Sequence, residues 1–425
     1  MTLTPFAHPA YVMLKPIGSA CNLSCSYCYY LEKQKLHGQP RPMSMELLEK
    51  FTRQYIAMQT MPEVLFTWHG GEPLLLPVSF YEQALRLQRR YGKGRPIDNC
   101  IQTNGTLLND EWCRFLKSNN FLVGLSIDGP QQLHDHFRQS AAGTGSWQQT
   151  MRAVDLLNRH GVEWNAMATV NSVTAMEPTA FYRFFRDIGC HYLQFTPVVE
   201  RRVRRSDGLT LAAGNEPIGS DAELTPFSVS AEAWGEFLCT VYDEWVRHDV
   251  GELFVQTFDA TLANWAGVTP GVCSLSEECG HVTVMEADGT LYSCDHFVFP
   301  EHRLGNLREQ PLTSMVYGRK QAAFAWAKRK ALPRQCLECK FLFACHGECP
   351  RNRFINDCYG ERGLNYLCRG YRRFFEHVAA DMDFMLGELQ AGRAPRNVMA
   401  RHGSAPLAYP AGTVEGASKE SMDRK

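Results

Sequence analysis

The chain has 425 residues, of which 44% are hydrophobic and 11% aromatic, and this composition is typical of a globular protein with two or three domains. Its 44 lysines and arginines nearly balance its 45 aspartates and glutamates, so a formal charge of −1 offers no general basic surface for nucleic acid. The sequence has neither a signal peptide nor an apolar stretch long enough to span a bilayer. We therefore expect a cytoplasmic protein that binds neither nucleic acid nor a membrane.

The 16 cysteines are the most informative feature of the composition. In a reducing compartment, clustered cysteines indicate metal ligation or catalysis rather than disulfides. Cys21, Cys25 and Cys28 have the spacing C-x3-C-x2-C, so one loop can bring their thiols together. A cubane iron–sulfur cluster normally takes four thiolates, and three therefore leave one iron open to a substrate. The alternative is a zinc site, for which His37 is the only nearby fourth ligand.

Strand-like and helical patterns alternate along the first 200 residues. The predicted strands are residues 11–16, 64–68, 97–103, 121–127, 164–170 and 192–197, and the predicted helices between them are residues 45–59, 78–91, 110–118, 147–160 and 177–188. Ser44 is the expected N-cap of the first helix. Alternating units of this kind predict an α/β fold with parallel strands and right-handed crossovers. Six units are fewer than the eight of a full barrel, so we expect a partial, open (β/α)6 TIM-like barrel.

Polar motifs follow successive predicted strands. After the first strand comes the cysteine loop, and residues 69–73 (HGGEP), 102–106 (QTNGT) and 126–130 (SIDGP) follow the next three. Each motif alone is compatible with an ordinary turn. Because the reactive site of such a barrel lies at the carboxyl ends of its strands, their joint order predicts one site. The paired Gly70 and Gly71 would let the backbone approach a ligand closely.

The predicted barrel occupies residues 1–230, with a long loop at about 200–230. The basic stretch 201–205 within that loop is interpreted as a solvated surface. A second domain is predicted for residues 231–390, beginning with a helix at 232–246, and residues 391–425 are predicted to be a disordered tail.

The second domain contains eight more cysteines in ordered spacing, namely Cys273, Cys279, Cys294, Cys336, Cys339, Cys345, Cys349 and Cys368. Eight thiolates are the number that two cubane clusters need. Zinc is the alternative for Cys336, Cys339, Cys345 and Cys349, because C-x2-C pairs are common in zinc sites. The five cysteines that remain, Cys100, Cys113, Cys190, Cys239 and Cys358, are interpreted as small apolar packing residues.

The triad and the glycine motif resemble the radical SAM superfamily, in which S-adenosylmethionine binds the open iron and yields a 5′-deoxyadenosyl radical. The resemblance implies that Gly70, Gly71 and Glu72 bind the methionyl amino group, that Ser126 and Arg138 contact the ribose and carboxylate, and that Tyr27 and Leu193 border the adenine. The second cysteine set resembles the SPASM domain. It implies one auxiliary cluster on Cys273, Cys279, Cys294 and Cys349 and another on Cys336, Cys339, Cys345 and Cys368, for a total of three [4Fe–4S] clusters.

Residues 5–390 as a whole resemble the anaerobic sulfatase-maturating enzymes. The resemblance rests on residues 21–30, 68–73, 102–108, 125–130, 194–198 and 292–297. It implies oxidation of a cysteine or serine, within Cys/Ser-x-Pro-x-Arg of an unfolded or nascent sulfatase, to Cα-formylglycine. It also implies that an external donor such as flavodoxin or ferredoxin supplies electrons and that Asp295 accepts a proton. We expect burial and a nearby reduced cluster to raise the pKa of Asp295.

Two other functions are compatible with these motifs. Another SPASM peptide maturase would form thioether or carbon–carbon crosslinks in a ribosomal peptide. A non-catalytic iron–sulfur electron carrier would need neither an open cluster nor the glycine motifs. Cleavage of S-adenosylmethionine under reducing conditions would separate the carrier from both maturases.

Overall fold

The structure is a computed structural model that describes residues 9–39, 41–203, 210–212 and 222–403. Its strands are β1 (Tyr11–Leu14), β2 (Val64–Trp68), β3 (Ile97–Thr103), β4 (Phe121–Ser126), β5 (Trp164–Val170), β6 (Tyr192–Pro197), β7 (Arg201–Arg202), β8 (Glu223–Leu224), β9 (Phe254–Val255), β10 (Val282–Met285), β11 (Thr290–Tyr292), β12 (Arg303–Asn306), β13 (Ile355–Asn356) and β14 (Arg362–Leu364). Its α-helices are α1 (Gln34–His37), α2 (Met45–Met58), α3 (Val78–Gly92), α4 (Asp110–Ser118), α5 (Gln131–Phe137), α6 (Trp147–His160), α7 (Pro178–Asp187), α8 (Ala231–His248), α9 (Gln256–Trp265), α10 (Leu312–Val316), α11 (Arg319–Lys330), α12 (Arg334–Leu337), α13 (Leu342–Cys345) and α14 (Cys368–Gln390).

The main sheet confirms the predicted α/β partial barrel. Its strand order is β12-β11-β10-β1-β2-β3-β4-β5-β6-β9, so the six predicted strands lie side by side in chain order. They pair in parallel, and the predicted helices α2, α3, α4, α6 and α7 connect them. The Ser44 hydroxyl accepts a hydrogen bond from the Leu47 N–H, which confirms the predicted N-cap.

The second half of the chain extends this sheet at both edges. Strand β9 pairs in parallel with β6, and β10 pairs in parallel with β1. Strands β11 and β12 then continue outward from β10 as antiparallel neighbours. One sheet therefore contains strands from both sides of the predicted domain boundary at residues 230 and 231. Within it, β10 of the second half lies beside β1, which precedes the first cysteine set.

The apolar residues form two main cores. In one, Phe51 and Tyr55 of α2 pack against Phe66 of β2 with ring centroids 5.2 to 6.1 Å from it. In the other, Phe258 of α9 stacks on Phe374 of α14 at 5.7 Å. Burial of such aromatic side chains is the main favourable contribution to a core of this kind.

Two expectations about chain segments are wrong. Strand β1 ends at Leu14, not at residue 16, because Pro16 has no N–H with which to continue the ladder. Residues 395–402 form a 3₁₀ helix with Val398 and Met399 buried, although the sequence predicted disorder from residue 391. These two apolar side chains pack into the core around α14, and this long-range contact is invisible in local composition. The rest of the predicted tail, 404–425, lies outside the described residues.

Among the described residues, no helix combines the length and the apolar character that crossing a bilayer requires.

Helices α8 and α14 cross at two glycines. A Cβ atom added to Gly370 would lie 2.2 Å from the carbonyl oxygen of Ala231 and 3.0 Å from the amide nitrogen of Gly235. Both obstacles are backbone atoms, which cannot rotate away. The close contact between the two helices therefore depends on the missing side chain.

We predict that Gly370→Ala destabilises the protein by about 1–3 kcal/mol, the usual cost of overpacking a core. The matched control is Gly387→Ala in the same helix, where an added Cβ meets nothing within 4 Å. That control is expected to stabilise the protein by up to about 1 kcal/mol, since alanine has a higher helix propensity than glycine. Denaturant unfolding of both variants measures the difference, and equal effects would contradict the close crossing.

Candidate active site

The cysteine loop lies directly after β1 and is fixed by backbone hydrogen bonds. The Ser24 N–H donates to the Gln139 carbonyl at 2.7 Å, and the Cys28 N–H donates to the Cys25 carbonyl at 2.9 Å. Burial, followed by weaker effects that include the thiol of Cys28, raises the pKa of Cys21 to about 11 and of Cys25 to about 12. The structure therefore brings the three predicted thiols into one partly buried group. The raised pKa values mean that deprotonating these thiols costs free energy. Binding of a metal, which is ligated by the deprotonated thiolates, offsets this cost.

Gly70 and Gly71 allow the second motif to pack against the cysteine loop. A Cβ on Gly71 would lie 2.1 Å from the carbonyl oxygen of Ala20, the residue before Cys21. Gly70 has φ = +130°, and its Cβ would lie 2.8 Å from the Gly18 oxygen. These positions require glycine for close approach, as the motif predicted, although the nearest neighbour is the cysteine loop itself.

Glu72 is fully buried, and its hydrogen bonds link the segment after β2 to the end of β3. Its carboxylate accepts hydrogen bonds from the N–H groups of Leu74 and Asn104, at 2.9 and 2.8 Å, and from the Thr103 hydroxyl at 2.8 Å. Burial, against the opposing effect of these donors, raises its pKa to about 7. The side chain thus has a structural function, and its contact with a methionyl amino group stays a prediction.

Asp128 is the central residue of the motif at residues 126–130, and the sequence analysis did not predict a role for it. Its carboxylate accepts hydrogen bonds from Arg138 Nε at 2.8 Å, from the Tyr27 hydroxyl, and from the N–H and hydroxyl of Thr169 at 2.8 and 2.9 Å. It therefore positions two of the predicted cofactor residues, Tyr27 and Arg138. The only available signal was an acidic residue directly after a strand.

The two remaining predicted cofactor residues are Ser126, at the end of β4, and Leu193 of β6. The Ser126 hydroxyl accepts a hydrogen bond from Gln102 Nε2 at 2.9 Å, among the strand-end groups. Leu193 is buried together with Phe195, and its contact with adenine stays a prediction. Val198, just after β6, packs with Tyr27 and Phe137 beside Cys25.

A cavity of about 250 Å³ connects the barrel with the first auxiliary cysteine set. Its wall includes Cys28 and Tyr29 from the cysteine loop, as well as all four predicted ligands, Cys273, Cys279, Cys294 and Cys349. Burial and then the thiols of Cys273, Cys349 and Cys279 raise the pKa of Cys294 well above its ordinary value. These four thiols therefore form one group that fits a four-cysteine cluster.

A second cavity, of about 520 Å³, is lined by the other predicted set, Cys336, Cys339, Cys345 and Cys368. The zinc alternative groups Cys349 with Cys336, Cys339 and Cys345, but Cys349 lines the first cavity and Cys368 lines this one. Four thiols are the number that a cubane cluster needs, and their ligation stays a prediction.

The five remaining cysteines do not all pack in the core. Cys113, Cys190 and Cys239 are buried, and Cys100 is half-buried. Cys358 is exposed in the turn between β13 and β14 and lines the second cavity, so its interpretation as a packing residue is wrong.

The basic stretch at residues 201–205 also differs from the prediction at Arg201, which is buried with its guanidinium 4.1 Å from the Phe354 ring centroid. Residues 204 and 205 lie outside the described residues.

Asp295 follows Cys294 and is held at both carboxylate oxygens. Lys15, at the end of β1, donates to Oδ1, and the Tyr29 hydroxyl donates to Oδ2. Burial acts to raise the pKa of Asp295, but the positive charge of Lys15 and further lowering contributions outweigh it, so the pKa lies well below the ordinary value. The expected upward shift is wrong because the sequence prediction left out Lys15. Asp295 is thus a carboxylate at neutral pH, and while it is paired with Lys15 its low proton affinity makes it a weak base.

Comparison with known proteins identifies the family. Residues 16–185 match the Radical SAM superfamily, and residues 273–340 match SPASM, an iron–sulfur cluster-binding domain. The chain is 56% identical over 412 residues to the serine-type anaerobic sulfatase-maturating enzyme of Bacteroides thetaiotaomicron, covering 96% of this chain and 99% of the relative. The chain belongs to the anaerobic sulfatase-maturating enzymes.

Two other relatives place this sulfatase-maturating enzyme within its family. The cysteine-type enzyme of Clostridium perfringens is 29% identical over 375 residues, covering 87% of this chain and 96% of that one. A solved structure, described as native anSMEcpe with bound AdoMet and Cp18Cys peptide, superposes with a TM-score of 0.78 at 28% identity, covering 90% of this chain and 99% of that chain. This sulfatase-maturating enzyme is therefore a radical SAM enzyme that uses iron–sulfur clusters and S-adenosylmethionine.

We predict different defects when the sulfatase-maturating enzyme loses a cysteine from different sets. Cys25→Ala should abolish reductive cleavage of S-adenosylmethionine, whereas Cys345→Ala should leave cleavage intact and stop product formation. Reconstituted wild-type protein should contain about 12 iron atoms per chain, since each cubane holds four. The matched control is Cys113→Ala, which removes a buried cysteine outside the three sets and should retain all the iron. Loss of cleavage in both Cys25→Ala and Cys345→Ala would contradict the division between the sets.

Proposed function

We propose that this enzyme oxidises a serine of a client sulfatase, within a Ser-x-Pro-x-Arg sequence, to Cα-formylglycine without oxygen. The observation that carries the proposal is the position of Asp295, which joins the end of β1 to the first auxiliary cysteine set beside one cavity. Serine is favoured over cysteine as the substrate because the relative at 56% identity is named serine-type and the relative at 29% identity is named cysteine-type.

Eleven cysteines are proposed to hold three [4Fe–4S] clusters. Cys21, Cys25 and Cys28 would hold the cluster with an open iron, Cys273, Cys279, Cys294 and Cys349 the first auxiliary cluster, and Cys336, Cys339, Cys345 and Cys368 the second. The cofactor side would consist of Tyr27, Gly70, Gly71, Glu72, Ser126, Arg138 and Leu193, with Val198 packed against Tyr27. With S-adenosylmethionine bound, the open cluster supplies a deoxyadenosyl radical able to remove a Cβ hydrogen atom.

Oxidation of the serine side chain to an aldehyde removes one hydrogen atom, one proton and one electron. Asp295 is proposed to take the hydroxyl proton as the electron leaves. At that point the O–H group is that of a protonated aldehyde, a strong acid, so a carboxylate that Lys15 keeps ionised can accept its proton. Tyr29 and Lys15 hold the two carboxylate oxygens, so the acceptor has a fixed position. The auxiliary cysteine sets are proposed to supply the electron acceptors. An external donor such as flavodoxin or ferredoxin would reduce the open cluster.

A second candidate function is crosslinking of a ribosomal peptide by a SPASM maturase. Its support is fold alone, since SuiB of Streptococcus suis superposes with a TM-score of 0.57 at 14% identity. The proposed aldehyde and a thioether crosslink both remove two hydrogen atoms from a peptide. A mass change therefore does not separate the two functions, whereas an aldehyde-trapping reagent does.

We predict that anaerobic incubation with a Ser-x-Pro-x-Arg peptide, S-adenosylmethionine and dithionite gives a product that reacts with a hydrazide. The cysteine twin of this peptide, assayed in parallel, should be converted more slowly. Mass spectrometry after hydrazide trapping measures both products. Faster conversion of the cysteine peptide would overturn the serine assignment. A dehydrogenated product that resists the hydrazide would favour crosslinking, and failure to cleave S-adenosylmethionine would leave only an electron carrier.

We predict that Asp295→Asn retains deoxyadenosine formation but slows aldehyde formation by about 10²–10⁴, the usual contribution of a general base. Asparagine preserves the size of the side chain but cannot take the proton. Single-turnover assays should compare deoxyadenosine with aldehyde under the same reductant. Asp288→Asn is the matched control, because Asp288 has an exposed side chain in the turn between β10 and β11. An Asp295→Asn rate within about threefold of wild type, far below a base's contribution, would exclude Asp295 as the acceptor.

A further inference from the structure

Residues 345–349 join the two proposed auxiliary cluster sites. This segment begins with Cys345 of the second set and ends with Cys349 of the first. Between them, His346, Gly347 and Glu348 have φ values of 48°, 70° and 51°, so three consecutive residues adopt the left-handed conformation. Such conformations are unfavourable for His and Glu, and other interactions must hold them in place.

The guanidinium of Arg353 provides these interactions. Its Nε donates to the Gly347 carbonyl at 2.8 Å, and its Nη2 donates to the carbonyls of His346 and Glu348 at 2.8 and 3.0 Å. Its Nη1 donates to the carbonyl of Lys328 in α11. A Cβ on Gly347 would lie 2.6 Å from Arg353 Nη2, so glycine is needed for this contact.

Arg353 lies beside a cysteine of each set. Its Nη2 contacts the carbonyls of His346, directly after Cys345 of the second set, and of Glu348, directly before Cys349 of the first. A second cation, the buried Lys328, contacts the first set, where its Nζ donates to the carbonyls of Cys273 and Ser274 at 2.7 and 2.8 Å. Arg353 therefore contacts the segment that links the two sets.

We propose that Arg353 is a positioning residue shared by the two auxiliary clusters, which fixes the segment that gives one thiolate to each and places a positive charge beside that segment. This inference rests on the proposed assignment of the eight cysteines. One-electron reduction adds a negative charge to a cluster, and a nearby fixed positive charge favours that addition. Net charge and hydrogen bonding around a cluster are known to set its reduction potential. Removal of Arg353 should therefore make both auxiliary clusters harder to reduce.

The test uses the full chain carrying Cys21→Ala, Cys25→Ala and Cys28→Ala, so that only the auxiliary clusters contribute signals. Arg353→Gln and Arg353→Lys are compared in this background by iron analysis and by redox titration followed by electron paramagnetic resonance. For Arg353→Gln we expect the midpoint potentials of both clusters to shift in the negative direction. Arg353→Lys keeps the charge but loses the planar fork of donors, so we expect smaller shifts in both potentials together with lower iron content.

The matched control is Arg329→Gln. Arg329 lies next to Lys328 in α11, but its guanidinium is half exposed and pairs with Glu277 and Glu278 at the surface. Water screens such a charge, so this variant should leave both potentials unchanged. A change in both clusters of an Arg353 variant, in potential or in iron content, supports the proposal. A change in only one cluster, or in neither, overturns the proposal. If Arg353→Gln is insoluble, the same two outcomes are compared for Arg353→Lys.

This test and the test of the proposed function fail separately. Redox titration does not require any peptide substrate, so the shared role of Arg353 can fail while serine oxidation stands. Conversely, a product other than formylglycine leaves the effect of Arg353 on the two clusters unchanged.

Discussion

Parallel pairing between β1 and β10 is the interaction on which the rest of the site depends. Tyr11 is opposite Val282 and Leu14 is opposite Met285, so the two strands end at the same level. The chain leaves β1 into the cysteine loop, and it leaves β10 through the short β11 into Cys294 and Asp295. Because β11 runs antiparallel to β10, the chain turns back before Cys294, and the side chain of Lys15, directly after β1, extends to Asp295. The contact of Lys15 with Asp295 closes this junction.

Buried ion pairs then fix the relative positions of the two cysteine-bearing halves. Besides the pair of Lys15 and Asp295, Arg351 pairs with Glu200 and lies 4.9 Å from the Tyr29 ring centroid. Glu200 follows β6, whereas Arg351 follows Cys349 by two residues. Removing one member of a buried pair leaves an uncompensated charge. These pairs therefore specify one arrangement, although their net contribution to the free energy of unfolding is small.

The sequence predicted what depends on local spacing. Periodicity located the six parallel strands, and the cysteine spacing located the groups that line the two cavities. It did not predict contacts that depend on pairing between distant segments, such as those of Lys15 and of Val398. Cys358 was misjudged because composition does not distinguish a turn beside a cavity from a core position.

The pairing of the first strand with β10 also has a consequence for the order of folding. During synthesis β1 emerges long before its neighbour, so the cysteine loop precedes the strand that completes its surroundings. Contacts between distant parts of a chain form slowly because a long loop must be closed first. The first three cysteines have thus been synthesised while the edge of β1 that later pairs with β10 is still unpaired. Incorporation of iron at this loop before β10 docks would meet the least steric obstruction.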